Sequence, residues 1–449
     1  MQKTHIRDFT RGNIPKQLII FASPLFLSSL LQIVYNMVDM IVVGAHLGKT
    51  GISAVSVGGD ITNFLTFIAI GFSSAGQVLI AKIIGANKTE RLGKFVGAMT
   101  GFLLSCALVL SVVALIFQEQ ILNLMNTPKL SWDGTIAYSG ICMAGMVFIY
   151  GYNVVSAIMR GMGDSKHPFI FISIAAVLNL ILDIILVPFM DEGGAALATV
   201  ISQGASFILC FIFLMTHKGE FKLQLKAKDF FLWEKRSLSE LLKLGTPMAI
   251  KSAAIHLSKL FVNSWINSYG VAVSAFAGIA AKIASISTLF ANSFNTASAT
   301  MVGQNIAARK YERVKKIMLS VGLITFIISS VMALCICLFP DAIFSIFTNE
   351  ADVLQIGRQY VPIAILMFYG STARAIMYGL INGSGNVRIN FATAILDGIV
   401  LRIGLALLFG LYLEMEHFGF WLGDALAGFT PFFVGLVFYL SGKWKKENT

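Results

Sequence analysis

The sequence predicts an all-α integral membrane protein with twelve transmembrane helices, set out as two six-helix bundles that enter the membrane the same way round. Three observations lead there: an apolar composition sustained along the whole chain, a one-sided distribution of basic residues, and a register that repeats after about half the length.

Of the 449 residues, 56 % are hydrophobic and 13 % charged, and the mean hydropathy is +0.78. Soluble domains rarely sustain such values, whereas a bundle of membrane helices needs them. About 20 apolar residues cross a bilayer. Twelve runs reach that length, near 17–44, 52–83, 93–118, 134–159, 168–189, 194–216, 240–269, 272–306, 315–340, 354–381, 389–413 and 418–441. The first is too long for a signal-peptide core and is read as a retained helix. All five cysteines fall inside predicted spans, are odd in number and lack zinc-ligand spacing, so packing explains them.

The net charge of +11 is compatible with nucleic-acid binding, but its placement points to topology. With the N-terminus inside, 26 Lys and Arg residues face the cytoplasm and three, Lys49, Lys129 and Arg358, face outward. The positive-inside rule therefore predicts both termini to be cytoplasmic. The expected partners are a small-molecule substrate and membrane lipid, with no nucleic acid, and the chain is expected to be a monomer.

Sliding the chain on itself by 222 positions pairs Gly48 with Gly270, Phe72 with Phe294, Lys88 with Lys310, Gly161 with Gly383 and Gly163 with Gly385. The halves are then 1–216 and 240–449, joined by a charged cytoplasmic connector at 217–239. Six spans per half make the repeats parallel, an arrangement of secondary transporters whose ligands bind between the halves.

Several motifs are decoys. GAHLGKT (44–50) has three residues between its glycines where a phosphate-binding loop needs four. The NKT and NGS triplets at 87 and 382 would face the cytoplasm, away from glycosylation. No HExxH or GxSxG occurs, and the six histidines form no cluster along the sequence. Nothing assembles an enzyme or calls for a cofactor.

The informative residues are charges inside the spans: Asp39, Asp60, Asp183, Asp397 and Asp424, with Lys251, Lys259, Lys282, Arg374 and Arg402. Each costs about 2.5–3.5 kcal/mol or more at mid-bilayer, so each should face protein, water or the interface. Asp60 and Asp424 lie near span ends and are expected to be solvated there. Asp39 is deeper, with Asn36 and Gln32 on its helical face and Tyr35 beside them. Asn179 and Asp183 stack four residues apart, and Thr199, Ser202 and Gln203 add oxygens. Such a shell suits a hard cation, a proton shared by two carboxylates, or separate structural hydrogen bonds. A substrate path is expected along Gln32, Tyr35, Asn36, Asn153 and Gln203. In the second half it continues through His256, Lys259 and Lys282, where polar stripes could instead pair with Asp397 or link helices.

SPLFLSSLLQIVYNMVDMIVVGAHLG (23–48), RGMGDSKHP (160–168), GAALATVIS (194–202) and the duplicated six-helix plan together resemble the MATE (multidrug and toxic compound extrusion) family, and within it the prokaryotic DNA-damage-inducible branch. The resemblance implies two bundles forming a V-shaped cleft in a bacterial cytoplasmic membrane. It implies export of amphipathic, mostly cationic drugs or metabolites in exchange for Na+ or H+. That branch's first-half cation site matches Asp39, Asn179, Asp183 and Thr199, which would be the metal ligands if Na+ is the ion. The glutamate that another branch carries in helix seven is missing around Ile255 and His256. A lipid or oligosaccharide-lipid flippase of the same superfamily is the alternative, because five bases lie within the spans.

Overall fold

The computed structural model describes residues 5–125, 127–231 and 233–445, among which there is no strand. Ile14–Gly85 is broken at Gly48 (φ 61°, ψ −153°) into α1 (14–47) and α2 (49–85). α3 is Leu92–Ile116. α4 runs as Trp132–Ala144 and Met146–Gly161, bent by 48° between them. Lys166–Thr216 breaks at Asp191 (φ 51°, ψ −134°) into α5 (166–190) and α6 (192–216). There follow α7 (Lys235–Asn267), α8 (Val271–Ala307), α9 (Tyr311–Leu338), α10 (Ala351–Ser384), α11 (Val387–Tyr412) and α12 (Glu416–Leu440). Each apolar run is thus one helix. α7 is the least apolar, because its stripe of Lys251, His256 and Lys259 keeps it below the composition of an ordinary span.

The duplication is written in the backbone. Positive φ recurs at Gly48 and Gly270 (61° and 115°), Asn87 and Arg309 (56° and 57°), and Gly163 and Gly385 (91° and 65°). Each pair is separated by 222 positions. Asp191 and Glu414 (51° and 53°) repeat the pattern at 223. A turn that needs a left-handed residue constrains sequence more tightly than a lipid-facing surface does, so these positions hold the register.

The contacts group into two compact units. The first takes the residues up to Asp8 and Ser23–Gly245; the second takes Phe9–Ala22 and the described residues from Thr246 onward. The start of α1 therefore packs with the second repeat rather than its own. Phe9 N–H donates to Gln304 Oε1 (2.9 Å), and Asn305 Nδ2 donates to Phe9 O (3.1 Å). Lys310 Nζ donates to Thr10 O (2.9 Å), and Arg313 donates to the carbonyls of Phe9, Arg11 and Gly12.

In the first unit, α3 presents Gly93, Gly97 and Gly101 at four-residue spacing to the connector. This small-residue ridge lets another backbone approach closely. A Cβ on Gly97 would stand 2.5 Å from Asp229 Cβ and 2.7 Å from its carbonyl oxygen. Overpacking of that kind costs about 1–3 kcal/mol. Gly97→Leu should lift the connector and speed tryptic cleavage at Lys226 and Lys228 several-fold. Unchanged cleavage would contradict this packing.

Two expectations need correcting. Ser131, in the outward-facing segment between the third and fourth apolar runs where a solvated loop is expected, is buried, held by Pro128 O and Ser53. Packing does not account for all the cysteines, because Cys335 and Cys337 are exposed on α9.

Candidate cation site

Two helix breaks set the depth of the first-unit acids. Asp39 lies nine residues before Gly48, Asp183 eight before Asp191, and Thr199 eight after it. At 1.5 Å per residue all three sit about 12–14 Å below their turns, close to half the hydrocarbon thickness. Pro24 inside α1 removes a backbone donor, and Ser28 Oγ donates to Pro24 O at 2.7 Å.

Asp39, Asn179 and Asp183 are 4, 2 and 0 % exposed, and Thr199 is half-buried. Asp39 and Asp183 are close enough to act on each other's charge. Apart from the contact between the Asp39 and Asp183 carboxyls themselves, no described group hydrogen-bonds to Asp39 Oδ1, to either oxygen of Asp183, to Asn179 Nδ2, to Thr199 Oγ1 or to Ser202 Oγ. Buried polar groups are almost always matched, and an unmatched buried carboxylate is among the costliest exceptions. The structural alternative, in which each acid satisfies a neighbouring donor, therefore finds no donor for Asp183 outside the pair. Carboxylate, hydroxyl and amide groups together can hold a hard cation, or the two acids can share one proton.

A cavity of about 360 Å³ within the first unit touches this set and is lined by Gln32, Tyr35, Asn36, Asp39, Asn153, Thr199 and Gln203. All five first-half path residues thus share one space. Asp60 is exposed on its wall. Asn63 and Ser56, also on the wall, were missed in the sequence. The signal was present there: Ser56, Asp60 and Asn63 follow helical spacing on α2.

The second unit arranges its charges differently. His256 and Lys259 line a cavity of about 370 Å³ with Asn263, Ser285 and Asp424. Lys282 is exposed on α8 and is not among its lining residues. Asp397, fully buried in a π-helical stretch (Leu396–Val400), receives Arg402 Nη2 at 2.9 Å, Arg374 Nη2 at 3.6 Å and the Tyr378 hydroxyl at 2.5 Å. It therefore pairs with α10 and α11 rather than with the polar stripes of α7 and α8. Asp424 is not merely solvated at a span end, because it forms an ion pair with buried Arg402. Lys251 Nζ donates to Asn382 Oδ1 at 2.8 Å and lies over the Tyr378 ring. Both of these acids have a base, whereas the first unit's two deepest acids have none among the described residues.

The histidines need a further correction. They are dispersed in the sequence, yet His5, His167 and His217 converge in the fold, with His5 midway between its two partners at ring-centroid distances of 5.5 and 5.4 Å.

The family model described as MatE matches the chain twice, over residues 24–185 and 247–408. The protein belongs to the MatE family and is a multi-pass membrane protein. The two matches are offset by 223 positions, beside the 222 of the repeated turns. It is 29 % identical over 446 residues to the probable multidrug resistance protein YoeA of Bacillus subtilis, covering 98 % of this chain and 96 % of that one. It is 25 % identical over 449 residues to the probable multidrug resistance protein NorM of Thermotoga maritima, covering 97 % and 94 %. Among solved structures, an outward-facing multidrug resistance MATE family transporter of the MOP superfamily superposes with a TM-score of 0.88 at 21 % identity, over 99 % and 100 % of the two chains.

Proposed function

We propose that this protein is a secondary antiporter that exports amphipathic, mostly cationic small molecules in exchange for Na+ or H+. The relatives named as multidrug resistance proteins support the substrate class. The observation that carries the coupling role is the buried carboxylate pair, in which Asp39 Oδ1 and both Asp183 oxygens take no donor from the rest of the protein, flanked by unmatched Asn179 Nδ2 and Thr199 Oγ1. Asp39 and Asp183 supply the countercharge for the ion, and the adjoining cavity is the first-half part of the substrate path. The flippase reading needs several free cations for pyrophosphate, but of the five bases Lys251, Arg374 and Arg402 are engaged and Lys282 does not line the second-unit cavity, which leaves Lys259 there. Purified protein in vesicles, with each ion gradient imposed alone, tests the reading. Efflux driven by one gradient is expected, and efflux indifferent to both would overturn it.

We place the chain as a monomer in the bacterial cytoplasmic membrane, and the basic asymmetry supports both termini inside. Buried Ser131 is unsuited to a labelling test, but Leu130 is 86 % exposed and Glu414 is exposed. Cysteines at Leu130 and Glu414 should react with an impermeant reagent from outside intact cells. Reaction only in inverted vesicles would reverse the topology.

A further inference from the structure

We propose that His5, His217 and Glu220 form a binding site for a divalent transition metal, of which Zn2+ is the best-matched probe. One nitrogen of each imidazole and one Glu220 oxygen lie within 4.8 Å of one another, outside the membrane-spanning helices. Two imidazoles and a carboxylate are a ligand set for tetrahedral zinc with a fourth position left for water. His5 Nε2 and Glu220 Oε2 are 3.0 Å apart. Two ligands on one tetrahedral zinc, with bonds of about 2.0–2.1 Å, stand about 3.3 Å apart, so little movement is needed.

The surroundings prepare each ligand. His217 caps the end of α6, and its Nδ1 faces Phe213 O and Thr216 Oγ1, both at 3.0 Å. The Thr216 hydroxyl itself donates to carbonyls of the preceding turn, so Nδ1 carries the proton and Nε2 keeps its lone pair. A histidine that donates its other N–H to a backbone carbonyl is the usual arrangement behind a metal ligand. His217 and Glu220 stand three residues apart in a turn closed by hydrogen bonds from the Glu220 and Phe221 amides to His217 O, at 2.9 and 3.1 Å. His5 is docked on that turn by its backbone N–H to Glu220 O (3.3 Å) and by stacking on buried Phe221.

A second triad, His5 with Asp164 and His167, is the weaker candidate. Asp164 is already committed, accepting from the Lys166 and His167 amides and contacting His167 Nδ1 at 2.5 Å. The rings of His167 and His217 each stack on Phe213, at 4.1 and 4.3 Å, and the two triads share only His5. Metal bound at the first triad would pin residues 5–8 to the end of α6.

The test uses full-length purified protein in detergent with any affinity tag removed. Co2+ titration should give visible d–d bands saturating at one ion per chain, and Zn2+ should displace it. His217→Ala and Glu220→Gln should each weaken Zn2+ binding by roughly 10–100-fold or more. His167→Ala should leave affinity within a few-fold. As a second readout, Zn2+ should slow tryptic cleavage after Arg7 in the wild type and not in His217→Ala. Lack of saturable binding, wild-type affinity in His217→Ala, or loss in His167→Ala with retention in Glu220→Gln would each overturn the assignment.

Discussion

Asp39→Asn and Asp183→Asn should each reduce ion-driven efflux by at least about 100-fold while the protein still inserts and purifies normally. Removing one partner of a buried charge arrangement typically costs about 3–5 kcal/mol, or roughly two to three and a half decades of ion affinity. Here the lost partner is the ion's countercharge. Because no protein donor outside the pair reaches Asp183, neutralising it strands no internal base, and the fold should be unharmed. Deleting an unpaired charge from the membrane interior is in itself favourable. The two substitutions should be far from additive, since both act on one ion. Asn179→Ala and Thr199→Ala remove neutral ligands and should weaken ion dependence less. Normal ion-driven efflux by both Asp variants would remove this site from the mechanism.

Arg402→Met should instead strike stability. Arg402 is 1 % exposed and is paired with Asp397 and Asp424. Its loss leaves two carboxylates without their main partner, at a cost of about 3–5 kcal/mol. For a unit of this size that corresponds to a melting-point drop on the order of 10 °C in detergent. Arg402→Lys should recover only part, because one ammonium cannot serve two carboxylates as a guanidinium fork does. Adding Asp397→Asn to Arg402→Met should also restore part of the loss. A melting point unchanged in Arg402→Met would show that the network contributes nothing to the fold.

The contrast between the two units shows what the sequence could tell. Span number and order were legible because about 20 consecutive apolar residues match the thickness of a bilayer, a length that soluble cores seldom demand. The register of the repeats was legible because left-handed turn positions such as Gly48 and Gly270 leave a trace in residue choice. The spacing of Asn179 and Asp183 follows from helix geometry alone. What helix periodicity cannot supply is partnership across helices. Asp424 looked solvated at a span end and Asp397 free to pair with the polar stripes, and only the packing of α10, α11 and α12 shows them paired with Arg374 and Arg402. The same limit hid the convergence of His5 and His217, more than two hundred residues apart. It also hid the docking of residues 9–22 on the second unit, which depends on Gln304, Asn305, Lys310 and Arg313.

The central claim is that Asp39 and Asp183 couple ion movement to export rather than bind substrate or hold the fold. The most direct measurement compares two activities of the same reconstituted protein. One is substrate efflux driven by an imposed Na+ or H+ gradient; the other is substrate exchange with no gradient present. The wild type should show both, and the Asp39→Asn/Asp183→Asn double variant should keep exchange while losing the driven efflux. Gradient-driven efflux at the wild-type rate in that double variant would contradict the account.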